Sequence, residues 1–198
     1  MRRARLPTRR TVLGLAAPWW GGCAQLSLVE PGAAVVRQRL EVQVEGRWNR
    51  VDRDLPDETP TWTQEGLTLD QLRFYVGVKD GWPLTGSAAD MPPGPRPQVF
   101  RAGMQAADIV RLFEQLHARD GSAVELRRLA PHTFVGRPGF MFELEWIRRT
   151  DDLRLRVSGW GAVTDGELHA ITYSAPRLVF HERGIGAVRA MARSARLR

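Results

Sequence analysis

Three alternating apolar runs between Phe140 and Ser174 constrain the fold more than any other stretch. Phe140, Phe142, Leu144 and Trp146 recur at every second position, and Leu155 and Val157 continue the habit in the next run. A period of two marks a strand with one buried face. Asp165-Gly166 is a turn pair that joins two antiparallel strands directly. The pattern predicts a three-strand meander over 140–147, 153–163 and 167–174. Met141, Glu143, Glu145 and Ile147 then share the second face of the first strand, and Arg154, Arg156, Ser158 and Trp160 share a face of the next. Carried across the turns, this register sets Glu143 and Glu145 beside Arg154 and Arg156, Trp160 near Ile171, and Ser158 near Tyr173.

Earlier in the chain, Leu40, Val42 and Val44 alternate with Glu41, Gln43 and Glu45, again a half-buried strand. Gly46 permits a turn, so Trp48 to Val51 reads as its partner. Asp52 to Pro60 reads as a loop, and Arg73 to Val78 as a strand closed by Lys79-Asp80-Gly81. The proline- and glycine-rich run from Pro83 to Gln98 reads as a long mobile loop. Ile109, Leu112, Phe113 and Leu116 form one helical stripe, stopped by Gly121. A strand over 123–129 and a turn around Gly136-Arg137-Pro138-Gly139 lead into the meander. After one or two helical turns over 176–183, a last helix over 185–196 buries Ile185, Val188, Met191 and Ala192. Arg189, Arg193 and Arg196 line its opposite side, a candidate face for a partner or for anionic headgroups. The expected fold is α+β, an antiparallel β-sheet packed by helices on one or both faces.

The first 23 residues run from basic to apolar to small, the order of a secretory signal. Their apolar part is about half of the roughly 20 residues a membrane-spanning helix needs. Gly21-Gly22-Cys23 resembles a bacterial lipoprotein signal, with Trp20 where such signals usually carry Leu. That resemblance implies a signal peptide over 1–22, acylation of Cys23, and attachment to a membrane. Residues 23–34, punctuated by Pro31-Gly32, read as a tether, and the remaining length, 35–198, suits a single domain. A free tether of about 11 residues reaches roughly 35–40 Å. Thr8-Arg9-Arg10-Thr11-Val12-Leu13 resembles a twin-arginine export signal, a second route across the inner membrane. Ala24, in place of the Asp that retains such proteins at the inner membrane, implies the outer membrane, facing the periplasm.

The formal charge of +7 does not indicate nucleic acid. Five arginines and no acid lie in residues 1–22, leaving 24 basic against 22 acidic residues after cleavage. Duplex binding needs a concentrated basic footprint, and this balance lacks one. The single cysteine, once acylated, leaves no thiol for a disulfide, so stability must come from burial.

Two segments carry a family resemblance. One is Trp62-Thr63-x-Glu65-Gly66-Leu67-x-Leu69-Asp70, running on to Tyr75-Val76-Gly77-Val78-Lys79-Asp80-Gly81. The other is Pro138-Gly139-Phe140 through Ala170-Ile171-Thr172-Tyr173-Ser174-Ala175-Pro176. Together they are similar to proteobacterial envelope lipoproteins of unassigned function. The order of strands and helices resembles the PsbP-like α/β/α sandwich, which implies a fold and no activity.

Catalytic and cofactor motifs are absent from the sequence. Ser158 lies in Val157-Ser158-Gly159-Trp160-Gly161, which lacks the first glycine of a nucleophile elbow. His117, His132, His169 and His181 have no metal spacing, and Ile185 stands where a zinc-protease helix opened by His181-Glu182 needs its second histidine. Trp160, Ile171 and Tyr173 form a candidate ligand face. The expected function is therefore non-catalytic, without metal or cofactor: an acylated envelope protein that binds or helps assemble another envelope component. A carrier of a small apolar ligand beneath the Trp160–Tyr173 face is one alternative, and a hydrolase using Ser158 and His169 is another.

Overall fold

A computed structural model describes residues 26–51, 59–85 and 98–198. The expected signal peptide, Cys23, Ala24 and Gln25, residues 52–58 and residues 86–97 lie outside the described residues. Among the described residues, eleven strands and two α-helices follow in order: β1 (Leu26–Val29), β2 (Gly32–Val36), β3 (Leu40–Val44), β4 (Trp48–Val51), β5 (Thr61–Thr63), β6 (Gln71–Val78), α1 (Ala106–Ala118), β7 (Ala123–Phe134), β8 (Arg137–Arg148), β9 (Leu153–Thr164), β10 (Glu167–Pro176), α2 (Glu182–Ser194) and β11 (Arg196–Leu197). A π-helical turn, Arg177–His181, leads from β10 into α2.

The main sheet has eight strands in the order β1-β4-β5-β6-β10-β9-β8-β7, with every neighbouring pair antiparallel. Helix α1 covers one face, packing Ile109, Leu112 and Phe113 with Tyr75, Phe140, Phe142, Leu144 and Val157. Phe113 meets Tyr75 edge-on and Phe142 at a tilt, both at 5.1 Å. The other face is covered by α2 and a three-stranded sheet, β11-β3-β2. Ile185, Val188 and Met191 of α2 pack there with Trp160, Ile171 and Tyr173. Helices therefore lie on both faces, each held by its apolar stripe.

The meander forms with the expected faces, and its β9–β10 half in the expected register; between β8 and β9, Glu145 faces Arg156 as expected, but Glu143 faces Ser158 and Arg154 faces Ile147. Ile171 pairs with Trp160 and Tyr173 with Ser158, while Asp165 and Gly166 both take the left-handed backbone of a two-residue hairpin. Four expectations are corrected. First, the described part of the expected tether, residues 26–34, is not free chain but lies in β1 and β2 and the turn between them: β1 pairs with β4 and β2 with β3. Alternating Leu26/Leu28 and Ser27/Val29 can serve a sheet edge as well as a linker, and only long-range pairing decides between them. Second, β3 and β4 are not a hairpin; they belong to different sheets on either side of Gly46. Third, the turn before β8 is Val135-Gly136, both with positive φ, and Pro138-Gly139 lie inside β8. Gly139 is required there because a Cβ would overlap the Gly161 carbonyl oxygen of the neighbouring strand β9. Fourth, α2 ends at Ser194, and Arg196 lies in β11, where it and Arg198 both bond the carboxylate of Glu41.

Candidate functional site

Part of the first segment that carries the family resemblance is a folding device. Asp70 is buried, and its carboxylate accepts from the Thr63 hydroxyl at 2.5 Å and from the backbone N–H groups of Gln64 and Glu65. The Thr63 hydroxyl in turn accepts from the Gly66 N–H. The segment Thr63-x-Glu65-Gly66 to Asp70 therefore closes the β5–β6 connection around one carboxylate, which satisfies donors that a tight turn leaves unpaired.

Ser158 does have a histidine partner, but it is not His169. Its hydroxyl lies 3.1 Å from Nε2 of His181, at the end of the π-helical turn, and both residues are buried. Tyr173 packs beside them, 5.6 Å from the imidazole, and donates its hydroxyl proton to the Phe180 carbonyl. Burial, with Arg156 and Arg189 nearby, lowers the His181 pKa to about 4, so the ring is neutral at pH 7. Its Nδ1 has no partner among the described residues. Nucleophilic catalysis needs a third group to orient the base and a path for substrate, and the described residues supply neither at this buried pair. His169 is also buried; its Nδ1 accepts from the Gly77 N–H at the irregular crossing of β6 and β10, a structural task. His117, in the last turn of α1, meets Trp146 at a tilt with ring centroids 4.6 Å apart, and burial lowers its pKa to about 3. No cluster of metal-binding side chains occurs among the described residues.

Trp160, Ile171 and Tyr173 do not floor an open groove. Each is at most 3% exposed, sealed beneath α2. Of the three, Trp160 reaches an opening, at the margin between α2 and the β7–β8 hairpin. A cleft of about 360 Å³ lies there, lined by Arg128, Ala130, Pro131, His132, Met141, Trp160, Arg189 and Arg193. Two separate expectations, an apolar sheet face and a basic helix face, thus meet in one place. Arg196, on β11, is not part of it.

The cleft depends on a β-bulge. Glu125 pairs with Glu145 and Leu126 with Leu144, but the next pair is Arg128 with Glu143, leaving Arg127 as the extra residue. Arg127 turns to Glu125 and Glu145, at 2.6 and 2.7 Å. From the bulge onward the alternation shifts by one. Leu129 joins the core beneath α1, while Arg128, Ala130 and His132 line the α2 side. The expected pairing of Glu143 and Glu145 with Arg154 and Arg156 is realised only in part. Glu145 has Arg154 at 3.8 Å, whereas Arg156 meets Glu182 at 3.2 Å. Glu143 instead lies 4.0 Å from Arg189. Arg128 and Arg193 have no ion-pair partner among the described residues. Arg128, His132 and Met141 were not singled out by sequence; the three-residue spacing of Leu126 and Leu129 inside a strand was the available signal for a bulge.

No protein-family model matches the chain, and no curated protein matches it. Among solved structures, it is similar to the solution structure of cyanobacterial PsbP (CyanoP) from Synechocystis sp. PCC 6803, with a TM-score of 0.55 at 12% identity. The match covers 93% of this chain and 99% of that one. The fold is therefore PsbP-like, an antiparallel sheet sandwiched by helices, and a likeness at this identity carries the fold alone.

Proposed function

We propose that this chain is an acylated envelope lipoprotein, facing the periplasm from the outer membrane, that acts by binding and without catalysis. The observation that carries this function is the cleft between α2 and the β7–β8 hairpin. There Arg128 and Arg193 stand without counter-ions among the described residues, beside the apolar surface of Met141 and Trp160. Uncompensated guanidinium groups next to an apolar floor are a recognition surface, because an anion that displaces their water gains charge-assisted, often bidentate, hydrogen bonds. The similarity of two segments to proteobacterial envelope lipoproteins supports the same reading. Since strand β1 starts at Leu26, Cys23 is only three residues away, about 10 Å at full extension. Acylation would hold the domain against the membrane surface and not at the end of a long lead. The carrier alternative is confined by the same geometry to the cleft, since the Trp160–Tyr173 face is sealed. Among the described residues, the hydrolase alternative has only the buried Ser158–His181 pair.

Two measurements test this function. Cys23→Ala should abolish acyl labelling and leave the protein at precursor size; persistent labelling would refute the anchor. Cross-linking of the acylated protein in its own envelope, followed by mass spectrometry, should capture a component that is lost when Arg189 and Arg193 are both changed to Glu. Capture indifferent to those changes would refute the cleft as the binding surface.

A further inference from the structure

Resting on that binding function, we infer that the cleft takes a phosphate monoester carrying an apolar group. The balance of charge points there first. Arg189 is offset by Glu143 at 4.0 Å, while Arg128 and Arg193 carry two positive charges with no carboxylate partner among the described residues. A dianionic phosphate balances two free guanidiniums, and its three terminal oxygens suit several planar donors at once. The neighbouring cleft around Glu125, Arg127, Glu145 and Arg154 makes the contrast. It is of similar size, about 350 Å³, but its charges are paired with one another, so it offers nothing to an anion.

The apolar requirement comes from Met141 and Trp160, which line the cleft. A volume of about 360 Å³ holds a headgroup and the first few carbons of its substituent, and not an extended chain. A peptide strand is disfavoured along the adjacent outer edge of β7. Arg127 bulges out of the ladder, and Pro131 lacks an N–H to offer a new strand. The phosphate chemistry is shared by two sources, a lipid headgroup in the bilayer and a soluble phosphate ester.

The test uses the full acylated chain in non-ionic detergent, with ¹³C-labelled methionine methyl groups and the Met141 signal assigned through Met141→Leu. Phenyl phosphate should move that signal saturably, and at least tenfold more tightly than inorganic phosphate at equal ionic strength. The Arg128→Gln/Arg193→Gln variant should lose at least tenfold in affinity while its unfolding temperature stays unchanged. Phosphatidic acid added to the micelles should compete with phenyl phosphate if lipid is the source, and phosphatidylcholine should not. Competition by neither, with phenyl phosphate still bound, assigns the site to a soluble ester. Equal affinity for inorganic and phenyl phosphate, indifference to the double substitution, or tighter binding of a glutamate-rich peptide would overturn the inference. If phosphate esters fail while the envelope cross-link through Arg189 and Arg193 persists, the ligand class is wrong and the binding function stands. If both fail, so does the function.

Discussion

Replacing Gly184 by Ala should destabilise the protein, although alanine is the better helix former. Gly184 is the point where α2 rests on the sheet. A Cβ there would overlap the Tyr173 hydroxyl and lie 2.8 Å from the ring carbon that bears it. Carbon atoms pack at about 3.5–4.0 Å, so helix and ring must part by about 1 Å. Tyr173 cannot simply swing aside, because it is fully buried and its hydroxyl is held by the Phe180 carbonyl. Overpacking of this kind costs about 1–3 kcal/mol or more, and loss of that hydrogen bond adds about 1 kcal/mol. Against this, Gly→Ala in a helix gains about 1 kcal/mol. The net loss is about 1–3 kcal/mol, a fall in unfolding temperature of roughly 3–10 °C for a domain of this size. At Gly186, two residues along the same helix, an added methyl group would meet nothing within 4 Å, so Gly186→Ala should stabilise by up to about 1 kcal/mol. Thermal and urea unfolding of both variants, followed by circular dichroism, makes the comparison. Tyr173→Phe, by removing the overlapped oxygen, should recover part of the Gly184→Ala loss in a double-mutant cycle. If Gly184→Ala proves as stabilising as Gly186→Ala, α2 does not seat on Tyr173 and the site geometry built on α2 falls with it.

Two further outcomes follow from buried polar groups. Asp70→Ala strands the donors of Thr63, Gln64 and Glu65 and should cost about 3 kcal/mol, with Asp70→Asn milder; a denaturant midpoint shift worth under about 1 kcal/mol for the alanine variant would show that the carboxylate does not organise the turn. Burial holds His181 and His117 neutral, with pKa values of about 4 and about 3 against an unfolded value of 6.5. As pH falls below about 6.5 the unfolded chain takes up protons first, so stability declines by up to about 1.4 kcal/mol per pH unit for each histidine until the folded pKa is reached, and neither contributes above about 6.5. Urea titrations at about pH 7.5, 5.5 and 4.5 should show this slope, reduced by one proton in His181→Gln; an unchanged slope in that variant would contradict the burial of the imidazole.

The sequence by itself determined whatever depends on residues adjacent along one element. Alternation from Phe140 to Ser174 with Asp165-Gly166 fixed the meander, its faces and the register of β9 on β10, because a one-residue slip would turn every apolar side chain outward. The 3.6-residue stripes fixed which sides of α1 and α2 are buried; that α2 seals Trp160, Ile171 and Tyr173, a candidate ligand face by sequence, was decided by the assembled structure. Tertiary structure decided what has no local signature. Leu26 to Val36 became strands because β4 and β3 offered edges. Gly46 separates two sheets where a local reading gives a hairpin. Arg196 left the helix for the carboxylate of Glu41. The cleft itself was settled by a single extra residue: the Arg127 bulge reverses the inside–outside order of β7, and so brings Arg128 and His132 to the face where α2 presents Arg189 and Arg193. A bulge costs little locally and is chosen by the partner strand, so only the assembled sheet could reveal it.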